Sequence, residues 1–371
     1  AFGGQGSDWL SELRSLQEKG QTNVRETIEL ALDKLEDLVK AEPWYEEHGG
    51  CDIRAWLESD DNVPNFDLLR YAPVSFPLIF LTQMCNYMRV LEKLGTCHED
   101  ALQKGWVKAS LGHSQGVVSA AVVAAANTDR ELRNLVVSGL EYMSKVGIAA
   151  QRTLDYELGR RNAGPETPML AVQGMDEKVL TKAFKAAVSL SNEKQAMMAK
   201  ISPTAAAATA APAAVSDEDR FSIALRNGHD DFVVCGEPKD LRVLRKVIEK
   251  QSAEPGKEAQ ARTPFSKRKP VTQTTFLRMT AVFHSALNKD ALAQINTWAP
   301  ESAFSKAFAQ ASLRVPVFDT KSGANLQDVP AADVVAHLTT NMLTERADVL
   351  VSLRAAETKT DASHLLCFGP G

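Results

Sequence analysis

Apolar residues recur at helical spacing across residues 23–40 (NVRETIELALDKLEDLVK) with charges between them, which predicts an amphipathic helix with one exposed face. Residues 76–95 (FPLIFLTQMCNYMRVLEKLG) predict a second, more apolar helix, closed by Gly95 in a C-cap position. The short run 107–111 (VKASL) suits a buried strand. It leads into Gly112-His113-Ser114-Gln115-Gly116 and then into VVSAAVVAAA, small, apolar and helix-compatible. Strand, tight turn, helix is the predicted order there.

Farther along, PMLAVQGM around position 168 reads as another strand. Residues 221–236 (FSIALRNGHDDFVVCG) hold two β-rich runs around a turn at Asn227-Gly228, and the helical pattern DLRVLRKVIEKQ follows. Two polar stretches interrupt this region. Residues 197–217 are alanine-rich and bracketed by Pro203 and Pro212, which predicts a mobile surface loop. Residues 252–272 carry Pro255, Gly256, Pro264 and Pro270. The expected organisation is one α/β body from residues 1–166 and 281–371, with residues 167–280 as a small α+β insert and no internal repeat.

At 371 residues, 44% of them hydrophobic and 24% charged, the chain can build a sizeable core. A net charge of −5 argues against a nucleic-acid surface. The dense basic run Lys267-Arg268-Lys269 lies in a polar stretch and reads as a solvated loop, or as a contact for a carrier protein. Five scattered cysteines without a CxxC pair fit neither a zinc site nor a disulfide framework, so no metal and a reducing compartment are expected. No apolar run is long enough to cross a bilayer and no signal peptide opens the chain, so a cytoplasmic location is expected. The abrupt start at Ala1 and stop at Gly371 suggest a domain of a longer polypeptide.

Gly112-His113-Ser114-Gln115-Gly116 matches G-x-S-x-G. In that pattern the glycines permit a sharp turn that presents the serine hydroxyl at a helix N-terminus, where N–H groups favour developing negative charge. Ser114 is thus a candidate nucleophile and the Gln115 N–H a candidate oxyanion donor; a packing turn with a capping serine would explain the glycines equally well. Seven histidines compete for the role of base. His48 and His98 sit among acidic residues and read as surface, His229 lies beside a turn, His337 within a helical run, and His364 near the end. His284 ends the strand-like run TAVF and would project into a cleft, although a satisfied core histidine looks the same. His113, adjacent to the serine, suits a structural or substrate-orienting role.

Taken together, FGGQGSDW at the start, YAPVSFPLIFLTQM (71–84), GHSQG (112–116), IALRNGHDDFVVCG (223–236), TPFSKRK (263–269), FHS (283–285), VPVFDTKSG (315–323) and FGPG (368–371) follow the order of the acyltransferase family. The chain most resembles the acetyltransferase (starter transacylase) domain of fungal-type and actinobacterial type I fatty acid synthases, over almost its entire length. The resemblance implies an α/β-hydrolase-like core with a parallel sheet, interrupted by a ferredoxin-like subdomain. It implies ping-pong transfer of an acyl group from coenzyme A to the phosphopantetheine thiol of an acyl carrier protein, with no tightly bound cofactor and with other domains of a multienzyme synthase as neighbours. On that resemblance Ser114 is the nucleophile, His284 the base, Gln115 and Gln5 supply the oxyanion N–H groups, and Asn227 faces the acyl pocket. A backbone carbonyl near Phe318-Asp319 would orient the base, and Asp319 is not itself expected to be a triad acid.

Malonyl-specific relatives carry an arginine on the helix after the elbow, whose planar fork pairs with the malonyl carboxylate. Here that position falls at Val146 or Gly147, and Arg152 comes about one and a half turns too late. A buried carboxylate without a partner is costly. The expectation is therefore acetyl or another short neutral acyl group, with Lys145 the one residue that could substitute. Rival readings are a starter-unit transacylase of a fungal polyketide synthase, a malonyl/palmitoyl transferase, an esterase, and an inactive docking module.

Overall fold

Trp9–Lys19 (α1), Thr22–Ala41 (α2), Pro43–Glu47 (α3) and Ile53–Glu58 (α4) open the chain with helices. A computed structural model describes residues 1–4, 8–64, 67–154, 166–201, 220–253, 260, 263–264 and 267–369. Ala72–Lys93 (α5), His98–Gln103 (α6), Gly116–Ala125 (α7) and Asp129–Arg152 (α8) follow, and α5 packs along α8 at the centre of the larger body. Gly147 of α8 makes this approach possible, since a Cβ there would stand 2.5 Å from the Ala72 carbonyl oxygen.

Helix α5 contains Pro77, which has no N–H to return to the carbonyl of Pro73. The Tyr45 hydroxyl takes over, donating to Pro73 O at 2.9 Å in a buried setting. The start of α5 is tied to the end of α8 by Gln151, whose Oε1 accepts from the Ala72 N–H (3.2 Å) and from Thr280 Oγ1 (2.7 Å). Gln151 therefore also anchors the segment that leads to His284.

The remaining elements are Met169–Gln173 (β1), Glu177–Ile201 (α9), Ser222–Arg226 (β2), Asp231–Cys235 (β3), Pro238–Gln251 (α10), Gln273–Phe276 (β4), Lys289–Trp298 (α11), Ala303–Ala309 (α12), Val334–Leu343 (α13), Ala347–Asp348 (β5) and Val349–Lys359 (α14). The five strands form a mixed sheet in the order β4-β1-β3-β2-β5, antiparallel except between β2 and β5. Strand alternation serves two cores. Leu170, Val172, Phe232 and Val234 face α9 and α10 in a small apolar cluster, while Met169, Val233 and Cys235 join the main core on the other face. The fifth strand comes from the C-terminal part of the chain, so the sheet joins residues 169–276 to the segment after α13.

Several expectations are corrected. Residues 107–111 form no regular strand, and parallel pairing in the larger body is confined among the described residues to isolated bridges, Phe2 with Gly112 and Ser110 with Val317. TAVF before His284 is irregular, and among the described residues no strand pairs with it. Helix α9 extends to Ile201, into the stretch expected to be a loop, and the rest of the alanine-rich segment lies outside the described residues. His98 is wholly buried, held between the Tyr87 hydroxyl (2.7 Å) and the Ala126 carbonyl (3.1 Å), despite its acidic sequence neighbours. His48 is half-buried and stacks on Trp44 with ring centroids 4.1 Å apart. Among the described residues no helix is long and apolar enough to cross a membrane.

Candidate active site

Two non-glycine residues among those described have positive φ: Ser114 and His284, each at 55°. Side chains in this region are strained and persist only where surrounding structure over-determines them. At Ser114 the surroundings are the elbow. A Cβ on Gly112 would overlap the Val117 N and Gly116 backbone, and one on Gly116 would overlap the Phe2 carbonyl. The glycines thus serve close backbone approach, while the serine itself carries the unusual conformation. Phe2 is locked in place by its N–H to Leu111 O and by the His113 N–H to its own carbonyl, both 2.9 Å.

At His284 the surroundings are the end of α13. The His284 and Ser285 N–H groups donate to the carbonyls of Met342 (3.1 Å) and Leu343 (3.0 Å), which a helix terminus leaves without partners. Buried Asn288 clamps the loop, its Nδ2 donating to Val282 O (2.7 Å) and Leu343 O (3.1 Å).

Ser114 Oγ lies 2.8 Å from His284 Nε2, across 170 residues of chain. His284 Nδ1 lies 2.8 Å from the carbonyl oxygen of Glu345. A carbonyl can only accept, so Nδ1 carries the proton and Nε2 is left to accept from the serine hydroxyl. Burial drives the imidazole pKa from 6.5 down to about 4, against the opposing pull of the Glu345 carbonyl. The ring is thus neutral at pH 7. A neutral imidazole aimed at a hydroxyl is the arrangement that can take a proton as that oxygen attacks an electrophile.

The orienting carbonyl is therefore that of Glu345, and not one near Phe318-Asp319. Asp319 instead closes its own turn, accepting from the N–H groups of Lys321 (2.7 Å) and Ser322 (2.6 Å). Its burial would raise its pKa, but His337, Ser322 and Lys321 together hold it at about 2.

The Gln115 N–H makes no hydrogen bond with the described residues, so it is free to serve a ligand. The Gln115 side chain is buried with neither amide atom partnered. Gln5 lies outside the described residues; Gly4, just before it, approaches Ser114, with a Cβ there 3.2 Å from the serine Cβ. Gln83 of α5 fixes this opening segment, donating to the Gly3 carbonyl (2.8 Å) while accepting from Ser119 of α7 (2.7 Å). The Asn227 side chain lies near His113, whose pKa burial lowers against the opposing influence of that amide, and His113 Nδ1 is buried without a hydrogen-bond partner. Val146 is fully buried in the main core. Lys145 is held by Glu42 and lies over the Trp298 ring, and Arg152 is exposed at the end of α8. Glu345, Asn288 and Gln83 escaped sequence reasoning; only Gln83 lay in a recognisable motif.

Residues 1–217 match the family described as starter unit:ACP transacylase in aflatoxin biosynthesis. Along its whole length the chain is 29% identical to fatty acid synthase 2 of Mycosarcoma maydis and 28% identical to the fatty acid synthase subunit beta of Saccharomyces cerevisiae, covering 10% and 17% of those proteins. It is also 28% identical over its full length to the fatty acid synthase beta subunit aflB of Emericella nidulans, covering 16% of it. The chain thus spans between about a tenth and a fifth of these relatives. Its fold is similar to MCAT from Streptococcus pneumoniae (TM-score 0.60, 17% identity, 100% of this chain and 88% of that chain). A type II PKS acyl-carrier protein in complex with its malonyl-transacylase gives a similar match (TM-score 0.59, 17% identity, 100% and 88%).

Proposed function

The chain belongs to the starter unit:ACP transacylase family, and from that premise we propose that it loads an acetyl or other short neutral acyl group from coenzyme A onto an acyl carrier protein in fatty acid synthesis. The observation that carries this reading is the 2.8 Å contact between Ser114 Oγ and His284 Nε2, with Nδ1 committed to a carbonyl. Ser114 attacks the thioester carbonyl while His284 takes its proton. The Gln115 N–H, with that of Gln5, receives the oxyanion. Collapse breaks the C–S bond, the imidazolium returns its proton to the departing thiolate, and an acyl-serine remains. In the second half His284 takes the proton of the phosphopantetheine thiol, the sulfur attacks the acyl-serine, and the proton ends on Ser114 Oγ. No tightly bound cofactor takes part. The imidazolium formed in each half faces the Glu345 carbonyl, which stabilises it as a carboxylate would with less charge.

The acyl preference rests on Val146 and on the engagement of Lys145 with Glu42 and Trp298, which leaves a malonyl carboxylate no cation at that point of α8. His113 and Asn227 line the pocket on the same reading. Residues 167–280 are read as a ferredoxin-like insert on their β-α-β-β-α-β order, and residues 1–166 with 281–371 as an α/β-hydrolase-like core on the elbow and its parallel bridges. We place the domain in the cytoplasm among other domains of a synthase. The family description, a starter unit:ACP transacylase, supports a second reading, a starter-unit transacylase of a fungal polyketide synthase.

Brief incubation with acyl-CoAs of increasing length, followed by intact-protein mass and peptide mapping, tests both. Acetyl on Ser114 supports the first reading and preference for a longer acyl group the second. Faster labelling by malonyl-CoA than by acetyl-CoA overturns the specificity, and no labelling overturns the function.

A further inference from the structure

The Glu345 carbonyl belongs to a strap, residues 344–348, between α13 and α14. Its upstream end is a helix terminus, with the Thr344 and Glu345 N–H groups both returning to Thr340 O at 3.0 and 3.1 Å. The larger body holds one side of the strap: Lys321 pairs with the Glu345 carboxylate at 2.6 Å, and the Asp348 N–H donates to Thr320 O at 2.7 Å. The insert holds the other side. Arg346 sets both terminal nitrogens on the two carboxylate oxygens of Glu177, the first residue of α9, at 2.6 and 2.9 Å. Ala347 and Asp348 pair with Leu225 and Arg226 of β2, and Arg226 meets Asp348 at 3.3 Å. Ser285, beside the imidazole, is tied to the same sheet, its Oγ 3.1 Å from Ser222 Oγ.

We propose that the Arg346–Glu177 pair is a positioning device for His284, through which the insert sets the plane of the Glu345 peptide and hence the direction of Nε2 toward Ser114. The proposal rests on the reading of His284 as the base. A two-residue strand gives backbone pairing little leverage over a peptide plane, whereas a two-pronged guanidinium–carboxylate contact fixes orientation as well as distance. Arg346 and Glu177 side chains are 34% and 41% exposed, so the pair adds little to global stability and its effect is directional. His284 has a strained backbone and depends on such support more than an ordinary residue does. The insert has its own apolar cluster around Leu180, Leu241 and Leu244, which makes it a rigid mount. The ionisable groups that face the ring are His113 from the elbow and, across the Glu345 peptide, the Glu345–Lys321 and Arg346–Glu177 pairs.

The test compares the full chain with Arg346→Lys, Glu177→Gln and the double variant. Single-turnover acylation by acetyl-CoA is followed from pH 8 to below the His284 pKa of about 4, beside urea unfolding. Each single variant is expected to acylate roughly tenfold more slowly at unchanged half-saturating acetyl-CoA, because a small misalignment of the base is amplified in the rate. The double variant is expected to be no slower than either single one. The acid limb of the rate profile moves to lower pH, since a displaced Glu345 carbonyl no longer supports the imidazolium. Urea midpoints stay close to that of the parent. Unchanged rate and pH profile, or a rise in half-saturating acetyl-CoA alone, overturns the proposal. If Glu177→Gln fails to fold, Arg346→Lys, which keeps the charge, decides the matter. A parent chain that no acyl-CoA labels sinks the proposed function, whereas a labelled parent with indifferent variants sinks only this inference.

Discussion

Acidification from pH 7 to pH 5 probes the environment of His284 directly. The ring is buried and its pKa falls from 6.5 to about 4. In the unfolded chain it takes up a proton as the pH drops through 6.5, while in the folded protein it stays neutral until about 4. The unfolded state therefore binds more protons in that window, and stability is lost as the pH falls. At about 1.4 kcal/mol per pH decade, the interval from 6.5 to about 4 corresponds to about 3 kcal/mol below pH 4, of which about 2 kcal/mol is already lost at pH 5. His98 and His113 are also lowered by burial, so the absolute loss mixes several groups. His284→Gln removes only one of them. Urea unfolding of parent and variant at pH 7 and pH 5 isolates the ring: the parent should lose about 2 kcal/mol more than the variant over that interval. Single-turnover acylation of the parent should remain near its plateau at pH 5 and fall only around pH 4. Equal acid sensitivity of parent and variant, or an acid limb near 6.5, would refute the reasoning.

Ser114→Gly relieves a side chain at φ 55° but leaves His284 Nε2 without its donor, so the two effects should offset to within about 1 kcal/mol in urea unfolding while the acyl-enzyme mass is abolished. Gly116→Ala drives a methyl group into the Phe2 carbonyl, so it should cost about 1–3 kcal/mol and slow acylation by disturbing the elbow. Tyr45→Phe leaves the Pro73 carbonyl buried without a donor. It should lower stability by about 1–2 kcal/mol with acylation unchanged, read by urea unfolding and intact mass.

The strain at the site has a physical logic. Ser114 and His284 both sit at φ 55°, and each is held there by backbone hydrogen bonds from segments remote in sequence. The elbow needs Phe2, and the histidine loop needs the end of α13. Releasing either residue would favour the local backbone and disturb the contact between Ser114 Oγ and His284 Nε2.

Local features of this chain were legible in its residues. The periodicity of 23–40 and of 76–95 specified two helices because the 3.6-residue repeat sorts apolar side chains onto one face whatever the helix later meets. Asn227-Gly228 and its flanking runs specified the β2–β3 hairpin for a similarly local reason, turn geometry. The glycines around Ser114 marked a close backbone approach, although that the serine would take the positive φ was not visible in them. His98 misled because acidic sequence neighbours say nothing about which side of a helix turns inward; its burial was decided by Tyr87 and Ala126. The carbonyl of Glu345 could not have been found at all, since a backbone oxygen carries no side-chain signature. Arg346 and Glu177, 169 residues apart, likewise read as two unremarkable surface charges until folding placed one against the other. Short-range propensity therefore determined the pieces and the nucleophile's turn, while the direction of the imidazole was decided by long-range contacts that no local pattern encodes.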